Sequence, residues 1–304
     1  MRVLVVGAGG AIGSQLVPQL AGQGHQVTGT SRSAAKAGYL KSLGAEPAVL
    51  DVLDASAVRT VVAAARPDAI IYQATALSGI SFSRNMDRAF APTNRLRTDG
   101  TDNLLAAARE AGVTRFIAQS FAPFRYAHSG GPVKDETDPL FDPPPSARQM
   151  VGAMAYNDKA VTAAGGIALR YGGFYGDEHN SMMDTIRKRQ FPLIGDGGGI
   201  MSFIHVHDAA AATVLALDAA GPDIYNVTDD EPAPMRDWLP ALAAALGAKR
   251  PYRVPAWVAG LLMGKLLPMI TEARGASNAK AKKELGWTLR YPTWREGFPA
   301  AYGR

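Results

Sequence analysis

Three glycines spaced by three, Gly7, Gly10 and Gly13, follow the apolar run Val3-Leu4-Val5-Val6 and open the helical pattern Ile12, Leu16, Leu20. A buried strand that breaks into such a loop and then into a helix can cradle a dinucleotide pyrophosphate. Gly7 allows the tight turn, Gly10 lets phosphate approach the backbone, and Gly13 lets the helix pack on the strand. Ala11 and Ile12, in the first helical turn, add unpaired N–H groups to the same cradle. The second predicted strand ends in Thr30-Ser31-Arg32, with no Asp or Glu to hold a ribose 2′-hydroxyl. A carboxylate there would repel a 2′-phosphate, whereas Arg32 can pair with it bidentately and Ser31 can donate a hydrogen bond. The expected cofactor is therefore NADP(H) in preference to NAD(H).

The elements that must position these residues alternate. Strands are expected at Val3–Val6, Gln26–Thr30, Ala45–Leu50, Ala69–Gln73, Arg115–Gln119 and Ile167–Tyr171, with alanine-rich helices at Ala55–Ala65, Thr101–Ala111 and Ala153–Ala164. Strands separated by helices imply right-handed crossovers and an α/β fold built on a Rossmann-like, doubly wound parallel sheet. From about residue 172 the rhythm gives way to glycine clusters and prolines around short helices, the pattern of a smaller C-terminal substrate-binding region. The expected division is residues 1–171 with about 203–227 as the NADP-binding Rossmann domain, and 172–202 with 228–304 as a lid.

Composition narrows the classes. With 304 residues and 47% hydrophobic content the chain can bury a substantial core, and with no cysteine it has neither disulfides nor thiolate chemistry. The net charge of +5 is scattered without interleaved aromatics, so nucleic acid is not an expected partner. A strand beginning at residue 2 leaves no room for a secretory signal, which points to the cytoplasm. The stretch Val254–Ile270 is interrupted by Gly264, Lys265 and Pro268 and is expected to form a short buried or pocket-lining helix, with no membrane contact.

The ordered motifs resemble the extended short-chain dehydrogenase/reductase family, also called the NAD-dependent epimerase/dehydratase family. The glycine triplet is similar to its cofactor fingerprint, Leu50-Asp51-Val52 to its adenine-contacting segment, and Gly100-Thr101-x-Asn103-Leu104-Leu105 to its fourth-helix signature. Leu169-Arg170-Tyr171, Tyr175-Gly176 and Phe203 to Asp208 extend the likeness along nearly the whole chain. The resemblance implies cofactor contacts from Asp51, Val52, Gln73, Ala74 and Thr75, a homodimer through the helices around Thr101–Ala111 and Ala153–Ala164, and a catalytic Ser, Tyr and Lys. Lys159 fits the lysine that holds the nicotinamide ribose, but the tyrosine position four residues earlier is Ala155. Tyr156 is the candidate acid, displaced by about 100° around the helix. Phe121 stands where the family's hydroxyl belongs, leaving Ser120 one residue short.

The sugar-nucleotide members of the family resemble one another in an Asn after the sixth strand and in an Arg that grips diphosphate; Gly173 and Met201 occupy those positions here. Phe121, Phe124, Met182, Met183, Met201, Trp257 and Met263 suggest instead an apolar, sulfur-rich pocket for a small hydrophobic or aromatic metabolite. His205 and Asp208 fall in an element that is structural in that family. His128 and His179 lie in loops that could fold over the pocket, without a recognisable orienting partner at fixed spacing, and no metal site is expected. The expected activity is an NADP-dependent oxidoreductase acting on a carbonyl or hydroxyl carbon with a degenerate Ser/Tyr/Lys site. The alternatives are a cofactor-retaining epimerase, dehydratase or isomerase, and a catalytically silent NADP-binding sensor or scaffold.

Overall fold

The computed structural model describes residues 1–77, 84–177 and 181–303; His179 lies outside them. Seven parallel strands form one sheet: β1 (Arg2–Val6), β2 (Gln26–Ser31), β3 (Ala45–Val49), β4 (Ala69–Tyr72), β5 (Arg115–Phe121), β6 (Ile167–Tyr171) and β7 (Asp223–Val227). Their order is β3-β2-β1-β4-β5-β6-β7, so the winding reverses between β1 and β4. That reversal opens a crevice at the carboxyl ends of the strands, where ligands bind in such sheets. The strand pattern read from sequence covers six of the seven; β7, with only five residues and a polar start, is the addition.

The central strands read as continuous apolar runs because helices cover both faces. β4 and β6 are buried at every position, whereas edge strand β3 is partly exposed and carries Pro47, tolerated where one side of a strand has no ladder to join. On one face, α1 (Ala11–Gly22) and the Val206–Leu215 helix bury Leu16, Leu20, Ile71 and Leu169 together. On the other, the helices Ala55–Ala65, Thr101–Glu110 and Arg148–Ala163 close over Leu4, Val6, Ile70 and Phe116. A third cluster around Trp238, Phe203 and Phe298 holds the C-terminal helices, beside short ladders such as Phe203–His205 on Gly173–Tyr175.

Among the described residues no helix is long and apolar enough to cross a membrane. The stretch expected to be one buried helix breaks at Gly264, where φ is +55°, into helices Ala256–Met263 and Leu267–Thr271. The first of these is apolar all round, so packing one side leaves the other to solvent: Trp257 and Leu261 are 72% and 73% exposed. Trp257 is thus a surface residue, which corrects its expected place in the pocket.

Candidate active site

β1 delivers the chain to Gly7, whose φ of +90° suits glycine alone. A Cβ on Gly7 would lie 2.7 Å from the Ala74 amide nitrogen, and one on Gly13 would lie 2.3 Å from the Ala8 carbonyl oxygen. Both obstacles are backbone, so the loop reaches β4, and α1 seats on the loop, only without side chains there. Ser14 N–H donates the first helical hydrogen bond of α1 to the Gly10 carbonyl at 2.9 Å. The N–H groups of Ala11, Ile12 and Gly13 are left without a helical acceptor, and no acidic side chain occupies that turn. The positive end of the helix therefore fits an anionic phosphate.

At the end of β2, Ser31 Oγ accepts from Ser33 N–H at 3.2 Å, and Ser33 Oγ caps the next turn through Ala35 N–H at 3.3 Å. Arg32 is exposed at the tip. Lys36 Nζ donates to the Gly9 carbonyl at 3.1 Å and so ties this rim to the glycine loop. Lys36 is a candidate that the strand-end motif does not reach; its signal is a second cation four residues after Arg32. Two hydroxyls and two cations without a carboxylate are the donor set that a 2′-phosphate takes.

The other expected cofactor residues surround the same crevice. Asp51 is exposed and accepts from Leu53 N–H at 3.0 Å, while the carbonyl of buried Val52 accepts from Asn103 Nδ2 at 2.9 Å. Gln73 donates through Nε2 to the Tyr171 hydroxyl at 2.9 Å and accepts Gln119 Nε2 on its carbonyl at 2.9 Å. Ala74 and Thr75 are half-buried, Ala74 directly beside Gly7. These residues fit a dinucleotide.

The reaction end is different. On the Arg148–Ala163 helix, half-buried Ala155 and exposed Lys159 share a face, four residues apart. Tyr156 takes another direction: its exposed hydroxyl donates to the Asp102 carboxylate, 2.7 and 2.8 Å from the two oxygens, on the neighbouring Thr101–Glu110 helix. That hydrogen bond to a carboxylate pushes the phenol pKa up and makes it a poorer acid. The one-residue offset thus engages the candidate acid on the helix pair's exterior. Ser120 is buried on β5 opposite Arg170 of β6, its hydroxyl without a hydrogen-bond partner. Phe121, next along, packs with Phe90, Phe124, Phe141 and Met263 against Met150 and Met154.

Under the same helix, Asp158 Oδ2 accepts Arg125 Nη2 at 2.5 Å and Arg170 Nε at 2.8 Å, all three side chains being buried. Arg170 Nη1 donates to the Tyr126 hydroxyl at 3.1 Å, which donates to Asn226 Oδ1 at 2.6 Å. Nothing in the local sequence pattern announces this cluster, because its members come from a loop, a helix and two strands.

The expected pocket residues divide. Met182, Met183 and Met201 join the cluster around Phe203 and Trp238, apart from Phe121 and Phe124. A Cβ on Gly173 would lie 2.4 Å from the Met201 methyl, so the two positions that grip sugar nucleotides elsewhere are fused here into one apolar contact. His205 Nδ1 accepts from His207 N–H at 3.0 Å as a helix cap, and Asp208 accepts from Arg290 and Tyr291 N–H at 2.9 Å each. Both are structural. His128 stacks on Phe141 at 4.4 Å and pairs with Glu272 at 3.3 Å. Among the described residues no group of acidic, His or Cys side chains could hold a metal ion.

Comparison with known proteins agrees with this frame. Residues 3–228 match the model of the NAD dependent epimerase/dehydratase family. The chain is 41% identical over 307 residues to a 3-diazoavenalumate denitrifying reductase from Streptomyces sp, covering 98% of this chain and 99% of that protein. It is 27% identical to a 2-alkyl-3-oxoalkanoate reductase from Stenotrophomonas maltophilia (strain K279a), over 82% of this chain and 77% of the relative. The UDP-glucose 4-epimerase of Thermotoga maritima superposes with a TM-score of 0.77 over 99% of this chain and 97% of its own, at 20% identity, a likeness of fold.

Proposed function

The chain belongs to the NAD-dependent epimerase/dehydratase family and is an NAD(P)-dependent oxidoreductase; from that premise we propose that it uses NADPH to reduce a small arenediazonium metabolite. The observation that carries this reading is the engagement of Tyr156 with Asp102, away from Lys159, with Ala155 and Phe121 where the family has its phenol and hydroxyl. Reduction of a ketone leaves an alkoxide that must be protonated, which is the task of the missing groups. When bound, reduced nicotinamide supplies a hydride, and a hydride alone converts an arenediazonium to an arene with loss of N2. No proton is consumed, so an acid is dispensable. The relative that is 41% identical is named for reducing a diazo compound, which supports the same reading.

The remaining roles follow from the chain's own groups. The α1 N-terminus holds the pyrophosphate, while Ser31, Arg32, Ser33 and Lys36 hold the 2′-phosphate and select NADP(H) over NAD(H). Lys159 holds the nicotinamide ribose. Phe121 and Phe124 form an apolar wall that excludes water from an acceptor that water would otherwise attack. We further propose that the C-terminal region acts as the lid and that two chains pair through the helices carrying Asp102 and Tyr156. The experiment is NADPH consumption with an arenediazonium and with a panel of ketones. The expected result is enzyme-dependent turnover of the first and little of the second; ketone reduction alone would reverse the assignment.

A further inference from the structure

Beside the proposed reaction site lies a set of buried polar groups that hydrogen bonds among the described residues do not satisfy. Arg97 and Arg125 are 7% and 0% exposed, and among the described residues Nε and Nη1 of each have no partner. Ser120 Oγ and both amide atoms of Asn94 are equally buried and equally unpartnered. Buried polar atoms of native proteins are ordinarily hydrogen-bonded, so a group of unspent donors asks for a ligand.

These atoms share one region. Arg97 lies in the π-helical turn Leu96–Gly100, which the Tyr72 hydroxyl pins by donating to the Leu96 carbonyl at 2.7 Å. Such turns are frequent at functional sites. Its guanidinium is near enough to Arg125 and Asp158 to feel their charges, and burial pulls its pKa down to about 10. Asn94 precedes Arg97 by three residues, on the same side of the helical run. Ser120 sits opposite Arg170 in the β5–β6 register, and Arg170 shares Asp158 with Arg125.

The charge count fixes the kind of ligand. Arg97, Arg125 and Arg170 face Asp158 and, beyond Arg170, half-buried Glu136, whose carboxylate accepts from Asn226 N–H at 2.6 Å; Lys280, which also faces Glu136, is offset by its own pair with Asp223. Three cations against two carboxylates leave one positive charge, suited to a monoanion rather than a phosphate dianion. A planar guanidinium fork matches a carboxylate bidentately.

We propose that Arg97 and Arg125, with Ser120 and Asn94, form a binding site for the carboxylate of the substrate. This rests on the reaction site lying beside Ala155 and Phe121, and it specifies an acidic aromatic substrate for that site. Among the described residues Arg97 Nε and Nη1 find no hydrogen-bond partner, so in the free protein this guanidinium is a destabilising charge that a bound carboxylate would neutralise.

Calorimetric titration of the intact chain with cinnamate and its neutral isostere cinnamamide tests the proposal without any turnover, so its outcome is independent of which acceptor is reduced. Wild type should bind cinnamate at least tenfold more tightly. Arg97→Met should reduce that preference to less than about twofold while melting at a higher temperature than wild type without ligand, and Arg97→Lys should keep part of the preference. Equal affinities in wild type, an unchanged preference in Arg97→Met, inorganic phosphate competing as well as cinnamate, or a lower melting temperature for Arg97→Met would each overturn it. The last would mean that Arg97 is a structural partner rather than a waiting one.

Discussion

The two ends of the crevice have diverged unequally. At the cofactor end, Gly7 and Gly13 face backbone at 2.7 and 2.3 Å, and Ser31, Asp51 and Gln73 stand at the carboxyl ends of neighbouring parallel strands. At the reaction end, the lysine position alone keeps its residue: Ala155 and Phe121 replace reactive groups, Tyr156 turns to Asp102, and a buried arginine cluster stands nearby. The difference teaches that steric necessity holds the first region, where any side chain collides. The second answers to the acceptor's chemistry and changes with it.

The strongest way to break the comparison is at the glycine loop. Gly13→Val would drive side-chain atoms into the Ala8 carbonyl, and fluorescence titration should show NADPH affinity reduced more than about 100-fold, a loss of about 3 kcal/mol or more. The combined Arg32→Ala, Lys36→Ala variant should lose about 1.5–3 kcal/mol per charge-assisted contact to the 2′-phosphate, roughly 100-fold in NADPH affinity for the two together, with NADH affinity unchanged. Equal losses for both cofactors would remove the assignment of NADP(H).

Acid tests the scaffold beneath both regions. Burial lowers the His205 pKa to about 4, and its cap requires an unprotonated Nδ1. The unfolded residue titrates near its ordinary value, so the stabilisation is complete above about pH 6.5 and is lost as pH falls toward 4, about 3 kcal/mol in all. Thermal melts should decline over that range, and His205→Asn, a cap that does not titrate, should melt lower at neutral pH but with a flatter decline. The smallest effect belongs to Tyr156→Phe. It removes an exposed hydrogen bond, so stability should change by under about 1 kcal/mol, and turnover should stay within about twofold.

The glycine loop, the helix start and the strand end were legible because they are local, lying within residues 7–36. Six sheet strands were legible for a similar reason, as each is a compact apolar run between helices. The reaction end was legible only as a set of departures. The change at Ala155 is visible, but the partner that Tyr156 finds at Asp102, 54 residues earlier, depends on how two helices pack. The contact between Gly173 and Met201, and the meeting of Arg97, Arg125, Asp158 and Arg170, likewise arise from crossovers that spacing does not record. Trp257 misled because an apolar helix normally signals burial, and here packing covers one side alone.

The central claim is hydride delivery without a protein acid. Its most direct test is reduction of 4-carboxybenzenediazonium with NADPH fully deuterated at nicotinamide C4, followed by mass spectrometry of the benzoate formed and of the N2 released, for wild type and Tyr156→Phe. The account predicts enzyme-dependent formation of benzoate carrying one deuterium at the former C–N position, one N2 per NADPH consumed, and equal rates for the two proteins. Benzoate without deuterium, or activity that disappears with the Tyr156 hydroxyl, would contradict it.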